Sequence, residues 1–289
     1  MHVNLDDIRC DYRGFQRLIE LADTTSQLAF DELILDMSQA TWFDANMSAP
    51  LGAILYRIGR RVNSVTPTNV SPRVNQILRK NGFLSVYGQE KVPDTNETTI
   101  EYRRFETKDD RFFATYIENN FVGKGLPAMS EGLHKRLRES IFEIFSNAVI
   151  HSETRYGIFA CGQFFPTKNY LNFSIADLGI GIRQNIKNSL GLDMPADEAI
   201  KWATEDSNTT KTGSIPGGLG LKLLSEFITQ NKGSIQIVSD RGYWQLLGGR
   251  VTTNKFKCPF PGTVVNIRIN TADTSAYCLV SEITADNIF

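Results

Sequence analysis

Glu143, Asn147 and His151 recur at four-residue spacing in RESIFEIFSNAVIHS, residues 138–152, which stacks a carboxylate, an amide and an imidazole on one helix face. A carboxylate there can orient a water or a hydroxyl for attack. A neutral amide oxygen one turn away suits a hard cation such as magnesium, which takes few protein ligands and keeps much of its water. Asp177 closes the apolar run LNFSIA with a second carboxylate, either as a turn cap or as an acceptor for a ligand's donor. Gly179 and Gly181 follow in DLGIGI, where a missing Cβ lets the backbone come close to a ligand. In PGGLGLKLL, residues 216–224, glycines run into an apolar helical pattern, so the amides of Gly217, Gly218, Leu219 and Gly220 can face phosphate oxygens at a helix N-terminus. The segment lacks the Gly-Lys-Ser/Thr ending of a P-loop, and no strand directly precedes it as a dinucleotide fingerprint requires.

The three motifs, in this order, resemble those of the GHKL superfamily, which contains the nucleotide-binding domains of DNA gyrase, heat-shock chaperones, histidine kinases and mismatch-repair proteins. The resemblance implies a two-layer α/β sandwich of Bergerat type that binds ATP with Mg2+. Asn147 would ligate the metal, and Glu143 would be the catalytic group, orienting a nucleophile toward the γ-phosphate as in gyrase-like ATPases and anti-sigma-factor kinases. Asp177 would accept a hydrogen bond from the adenine amino group, Thr263 in PGTVVNIRI would support the base through Asp177 and water, and His151 would line the pocket. Residues Arg183 to Ile215 would form a lid. Within it Lys211 is a candidate phosphate ligand, with a solvated lysine as the alternative. Pro216 replaces the first glycine of the family's GxGLG pattern, which implies a stiffer hinge.

These groups need a helix packed on a sheet. Ile141, Ile144, Phe145 and Ala148 form the opposite, apolar face of the 138–152 helix. TTIEYRRF, YGIFACGQFF, NYLNFSIADL, GSIQIVSD, GYWQLLGG and GTVVNIRIN read as strands, and KDDRFFATYIENNFVG as a helix. Upstream, YRGFQRLIELADTTSQL, MSAPLGAILYRIGRRV and SPRVNQILRKNGF read as helices around the strand ELILDM. In the last of these, Ser71 stands at the N-cap position and Pro72 in the first turn. This α/β order, with LDMSQATWFDANMSAPLGAIL, resembles the STAS domains of anti-sigma-factor antagonists. Asp44 is followed by Ala45 rather than the family's acceptor serine, so the resemblance implies a domain that docks a partner without phosphorylation at that turn. Polar GQEKVPDTNE, residues 88–97, separates the two regions. The expected division is a STAS-like domain over 1–92 and an ATP-binding domain over 93–289.

At 289 residues, 41% hydrophobic, with a net charge of −1, the chain has the material for packed cores and no broad basic footprint for nucleic acid or an anionic membrane, although a local patch stays open. No stretch is apolar and long enough to span a bilayer, and the start lacks a signal-peptide pattern. A cytoplasmic location is expected. The four cysteines are scattered, without a CxxC pair, and read as inert thiols. The leading functional expectation is a magnesium-dependent ATPase switch that regulates a protein partner through the N-terminal domain. A serine/threonine protein kinase of the anti-sigma-factor type and a non-hydrolysing ATP-sensing adaptor are the alternatives, and a homodimer is left open.

Overall fold

The computed structural model describes residues 1–205, 208 and 219–282. Its first unit comprises β1 (His2–Asn4), α1 (Tyr12–Thr24), β2 (Glu32–Asp36), α2 (Ser48–Gly59), β3 (Ser64–Thr68) and α3 (Pro72–Lys80). The strands form a parallel sheet in the order β1-β2-β3. Asp11 caps α1, its carboxylate accepting from the Gly14 N–H at 2.9 Å. Pro72 opens α3 as expected, but Ser71 donates its hydroxyl to the Ala40 carbonyl at 2.6 Å instead of capping the helix. Leu33 and Leu35 of β2 are buried in one cluster with Phe15, Leu18 and Ile19 of α1. The sequence reading misses β1, which is three residues long, and β3, whose Pro67 is tolerated because the strand lies at a sheet edge.

The second sheet is antiparallel in the order β4-β5-β6-β8-β7, built from β4 (Thr99–Phe105), β5 (Ile158–Phe165), β6 (Tyr170–Asp177), β7 (Ser234–Leu247) and β8 (Arg250–Asn270). Its helices are α4 (Asp110–Phe121), α5 (Glu131–His151), α6 (Gly181–Leu190), α7 (Ala196–Thr204) and α8 (Leu219–Gln230). The α/β class is therefore as expected. The span expected to be a lid holds α6 and α7, whose Ile186, Ala199 and Ile200 are buried. GSIQIVSD and GYWQLLGG belong to one strand, β7, interrupted by bulges, and β8 begins twelve residues before Gly262.

Alternation along the strands gives this sheet two different faces. On the front, Phe173 and Ile175 of β6 join Ile267 and Ile269 of β8 beneath α4, α5 and α8, with the rings of Phe113 and Phe145 stacked at 4.2 Å. On the back, Phe159, Ala176, Val238 and Val264 belong to the same cluster as α1, α2 and β2. The N-terminal unit thus covers the back of the five-stranded sheet and adds a third layer to the expected two-layer sandwich.

That contact contains buried polar side chains. Asn46 Nδ2 donates to Ser174 Oγ at 2.8 Å and to Cys10 Sγ at 3.3 Å, while Asn266 Nδ2 donates to Cys10 Sγ at 3.1 Å and to Gln236 Oε1 at 3.2 Å. Burial pushes the Cys10 thiol up to about 12, so it stays protonated and donates to Gln236 Oε1 at 3.4 Å. Asp44 accepts from the Cys10 N–H at 2.7 Å and from Trp42 Nε1 at 2.8 Å. The turn that the STAS resemblance singles out is therefore packed against the chain's own sheet.

Candidate functional site

α5 follows from its capping and its stripe of apolar residues. Ser130 Oγ accepts from the Leu133 N–H at 3.1 Å, and Leu137, Ile141 and Phe145 are buried against the sheet. The same twist holds Glu143, Asn147 and His151 half-buried along a side where all three line a cavity of about 180 Å³, and Ile144 and Ala148, expected on the opposite face, line it as well because they sit at the edge of the apolar stripe. Asp177, Gly181 and Thr263 line it too, so residues distant in sequence meet there. Ile175, Ile237 and Val265 make the sheet side of the wall apolar.

Asp177 stands at the end of β6, 4% exposed, directly across from Thr263 in the β6–β8 register. Burial pushes its carboxyl up to about 7, against the opposing pull of hydrogen bonds from the Gly179 and Thr263 backbone and the Ser152 hydroxyl. The Gly179 N–H donates to Oδ1 at 2.8 Å. Asp177 is thus half ionised near neutrality and is the acidic group on an apolar floor.

The two glycines of DLGIGI do different work. A Cβ at Gly179 would lie 1.9 Å from the Ser152 carbonyl oxygen, and the next N–H, of Ile180, donates to that oxygen at 2.7 Å. Gly179 lets the motif dock on the end of α5, and is not among the cavity-lining residues. Gly181 does line the cavity, adopts φ +77°, and would place a Cβ 3.0 Å from Ser239 Oγ. Ser239 joins three segments: it accepts from the Ile182 N–H at 2.9 Å, donates to the Gly262 carbonyl at 3.1 Å and meets Thr263 Oγ1 at 3.0 Å.

Ser152, Ser239, Asn185 and Trp202 are site residues that the sequence reading passes over. Asn185 Nδ2 donates to the His151 carbonyl at 3.3 Å, tying α6 to α5, and Trp202 brings α7 to the cavity wall. A signal for Asn185 and Trp202 exists in the apolar spacing of Ile182 and Ile186 and of Ala199 and Ile200, which marks helices. Lys211, Gly217 and Gly218 lie outside the described residues, while Leu219 and Gly220 open α8, in line with the glycine-to-helix pattern.

The cavity is graded from apolar to polar. Its floor fits a flat, largely apolar group with a donor aimed at Asp177, and its α5 wall offers the Asn147 amide to oxygen-rich groups and the Glu143 carboxylate as an acceptor for a water or hydroxyl. Among the described residues no cluster of three or more His, Cys, Asp and Glu side chains is placed for a metal. The Asn147 amide is a hard oxygen donor, suited to magnesium when a ligand's own oxygens supply further positions.

No protein-family model matches the chain, and no curated protein sequence matches it either.

Proposed function

We propose that the chain binds ATP with Mg2+ in this cavity and works as an ATPase switch acting on a protein partner through its N-terminal unit. One observation carries the reading: the α5 face, the acid at the end of β6 and the threonine across from it in β8, in three separated segments, share one cavity. The reading places adenine on the apolar floor. Its amino group donates to Asp177, where guanine would present a carbonyl to an ionised carboxylate that only accepts. Asn147 would hold magnesium, which when bound neutralises phosphate charge. Glu143, one turn before Asn147, would orient the attacking water. The N-terminal unit contacts the back of the strands that carry Asp177 and Thr263, which supports it as the element that senses nucleotide state. A partner would meet the part of that unit left exposed.

Calorimetry with ATP and GTP, each with magnesium and with chelator, tests the assignment, and phosphate release tests turnover. Magnesium-dependent binding that prefers ATP is expected. Equal affinity for GTP, or no binding of either nucleotide, overturns it.

A second reading, phosphoryl transfer to a protein hydroxyl, draws support from a further cavity of about 450 Å³ between α5 and α8, which Glu143 also borders. This space would admit an acceptor hydroxyl to the same carboxylate. Labelled ATP incubated with the protein and cell extract separates the readings: free phosphate favours the ATPase, labelled protein the kinase, and intact bound ATP a sensing adaptor.

A further inference from the structure

Three cations converge on one indole on the far side of the molecule's polar seam. The guanidinium of Arg73 lies 4.4 Å from the Trp42 ring centroid, that of Arg9 5.1 Å, and the Lys168 ammonium 3.9 Å. The ring is held from below, Nε1 donating to Asp44 at 2.8 Å and the Trp42 backbone N–H donating to Asp7 at 2.7 Å. Beside it opens a cleft of about 210 Å³ whose walls come from both units: Trp42, Arg73 and Gln76 from the first, Thr98, Gln163 and Phe165 from the second.

Charge is only partly balanced there. Arg9 is paired with Asp7 at 3.4 Å, and Lys80, which also borders the cleft, with Asp94 at 3.7 Å. Arg73 and Lys168 have no carboxylate in ion-pair range among the described residues. Arg73 lines the cleft and Lys168 does not, but both lie within 4.4 Å of the centroid of the Trp42 ring that forms its wall, so an anion in the cleft beside that ring would offset their like charge. The side-chain amides of Gln76 and Gln163 make no hydrogen bond among the described residues and are available as neutral donors.

We propose that this cleft binds a phosphate monoester dianion. Two uncompensated cations match its charge of about −1.5 to −2 at neutral pH better than they match a carboxylate or a phosphodiester. The cations also cover the indole, which leaves little of the ring for the base stacking that single-stranded nucleic acid uses. The monoester can come from a small metabolite or from a phosphorylated side chain of a partner. This site is separate from the proposed ATP cavity and does not depend on it.

Calorimetry on the full chain with phosphoserine, a phosphoserine peptide, acetate and a short single-stranded DNA tests the proposal. Saturable phosphoserine binding is expected, weakened at least tenfold in Arg73→Gln/Lys168→Gln, two exposed substitutions whose folding circular dichroism checks. It should be unchanged in Asn147→Ala and much stronger than acetate binding. A peptide bound more than tenfold tighter than phosphoserine assigns the monoester to a protein; similar affinities assign it to a small molecule. Failure to bind phosphoserine at millimolar concentration overturns the proposal, as does binding that survives the double substitution, binding lost in Asn147→Ala, or tighter binding of the DNA.

Discussion

β6 and β8 present opposite chemistries to their two sides. On the front, Phe173, Ile175, Val265 and Ile267 meet helices in an apolar layer that ends in a cavity at Asp177 and Thr263. On the back, Asn172, Ser174 and Asn266 are just as buried, but Ser174 and Asn266 hydrogen-bond across a polar seam to Asn46 and Cys10 of the N-terminal unit, while Asn172 Oδ1 accepts from Arg268 of the neighbouring strand at 2.9 Å. Adjacent residues thus serve two kinds of contact, one fixed by packing volume and the other by hydrogen bonds that satisfy most of the seam but leave Asn46 Oδ1 and Asn172 Nδ2 without a partner among the described residues. Apolar packing tolerates compensation between neighbours, whereas removing one partner from a buried hydrogen-bond network leaves the other desolvated and unsatisfied, at about 1–3 kcal/mol. The front is suited to shaping a ligand site. The back is suited to holding one specific orientation of the N-terminal unit.

Phe173→Ala should be the most damaging single change. The ring is 1% exposed and packs edge-on against Phe121 at 5.2 Å, so truncation should cost about 3–5 kcal/mol in denaturant unfolding. Asn266→Ala, one register pair along from Phe173 and on the other face, should cost about 2–3 kcal/mol, because Cys10 and Gln236 lose a partner inside the protein. If nucleotide binding belongs to the front alone, Asn266→Ala should leave ATP affinity within about twofold of the parent while Asp177→Asn lowers it by about 1–3 kcal/mol. Comparable losses in both variants would show that the faces are not independent.

Asp177 sharpens the contrast through pH. Its folded-state carboxyl titrates at about 7, well above the roughly 3.9 of an unfolded chain. The folded protein therefore holds this proton more tightly than the unfolded chain, and the stability it contributes is complete below about pH 4 and is lost as pH rises through about 7. The difference in unfolding free energy between the parent and Asp177→Asn should fall over that window, which cancels the other titrating groups. ATP affinity should move the opposite way and rise from pH 6 to pH 8, because the ionised carboxylate is the better acceptor for an amino group. Parallel trends in the two measurements would separate Asp177 from the base-binding role.

The sequence made the front face easier to read than the back. Ile141, Ile144, Phe145 and Ala148 declare a helix with one buried side, and that side fixes where Glu143, Asn147 and His151 point. Asp177 stands out because a lone acid ends an apolar strand. The back face is hidden for a physical reason: polar residues alternating with apolar ones, as Asn172, Ser174 and Asn266 do, look the same whether they meet water or the polar side chains of another unit of the chain. The outer half of β8, VTTNKFKCPFP, was obscured by its charges and prolines, which an exposed hairpin arm accepts. α6 and α7 fall inside the span Arg183 to Ile215, whose lid reading carries no expectation of buried helices. Gly179 was legible as a close-approach residue, but what approaches it is the end of α5.

The smallest predicted change asks whether the two faces communicate. Lys255, in the outer arm of β8, touches both sides of the molecule: its carbonyl accepts from the Tyr12 hydroxyl of α1 at 2.8 Å, and its ammonium lies 3.3 Å from Asp197 of α7. α7 also carries Trp202 on the cavity wall. A nucleotide that draws α7 inward would pull on this arm and through it on α1. Tyr12→Phe removes the hydroxyl while keeping the ring that stacks on Phe256 at 4.5 Å. Because the hydrogen bond is exposed, the stability loss should be about 0.5 kcal/mol. Hydrogen exchange gives the more telling readout. ATP with magnesium should slow exchange in α1 of the parent protein, and Tyr12→Phe should shrink that protection while leaving ATP affinity unchanged. If ATP binds but does not alter exchange in α1 of the parent, the arm is only a strut and nucleotide state must reach the N-terminal unit across the Asn46–Ser174–Asn266 seam.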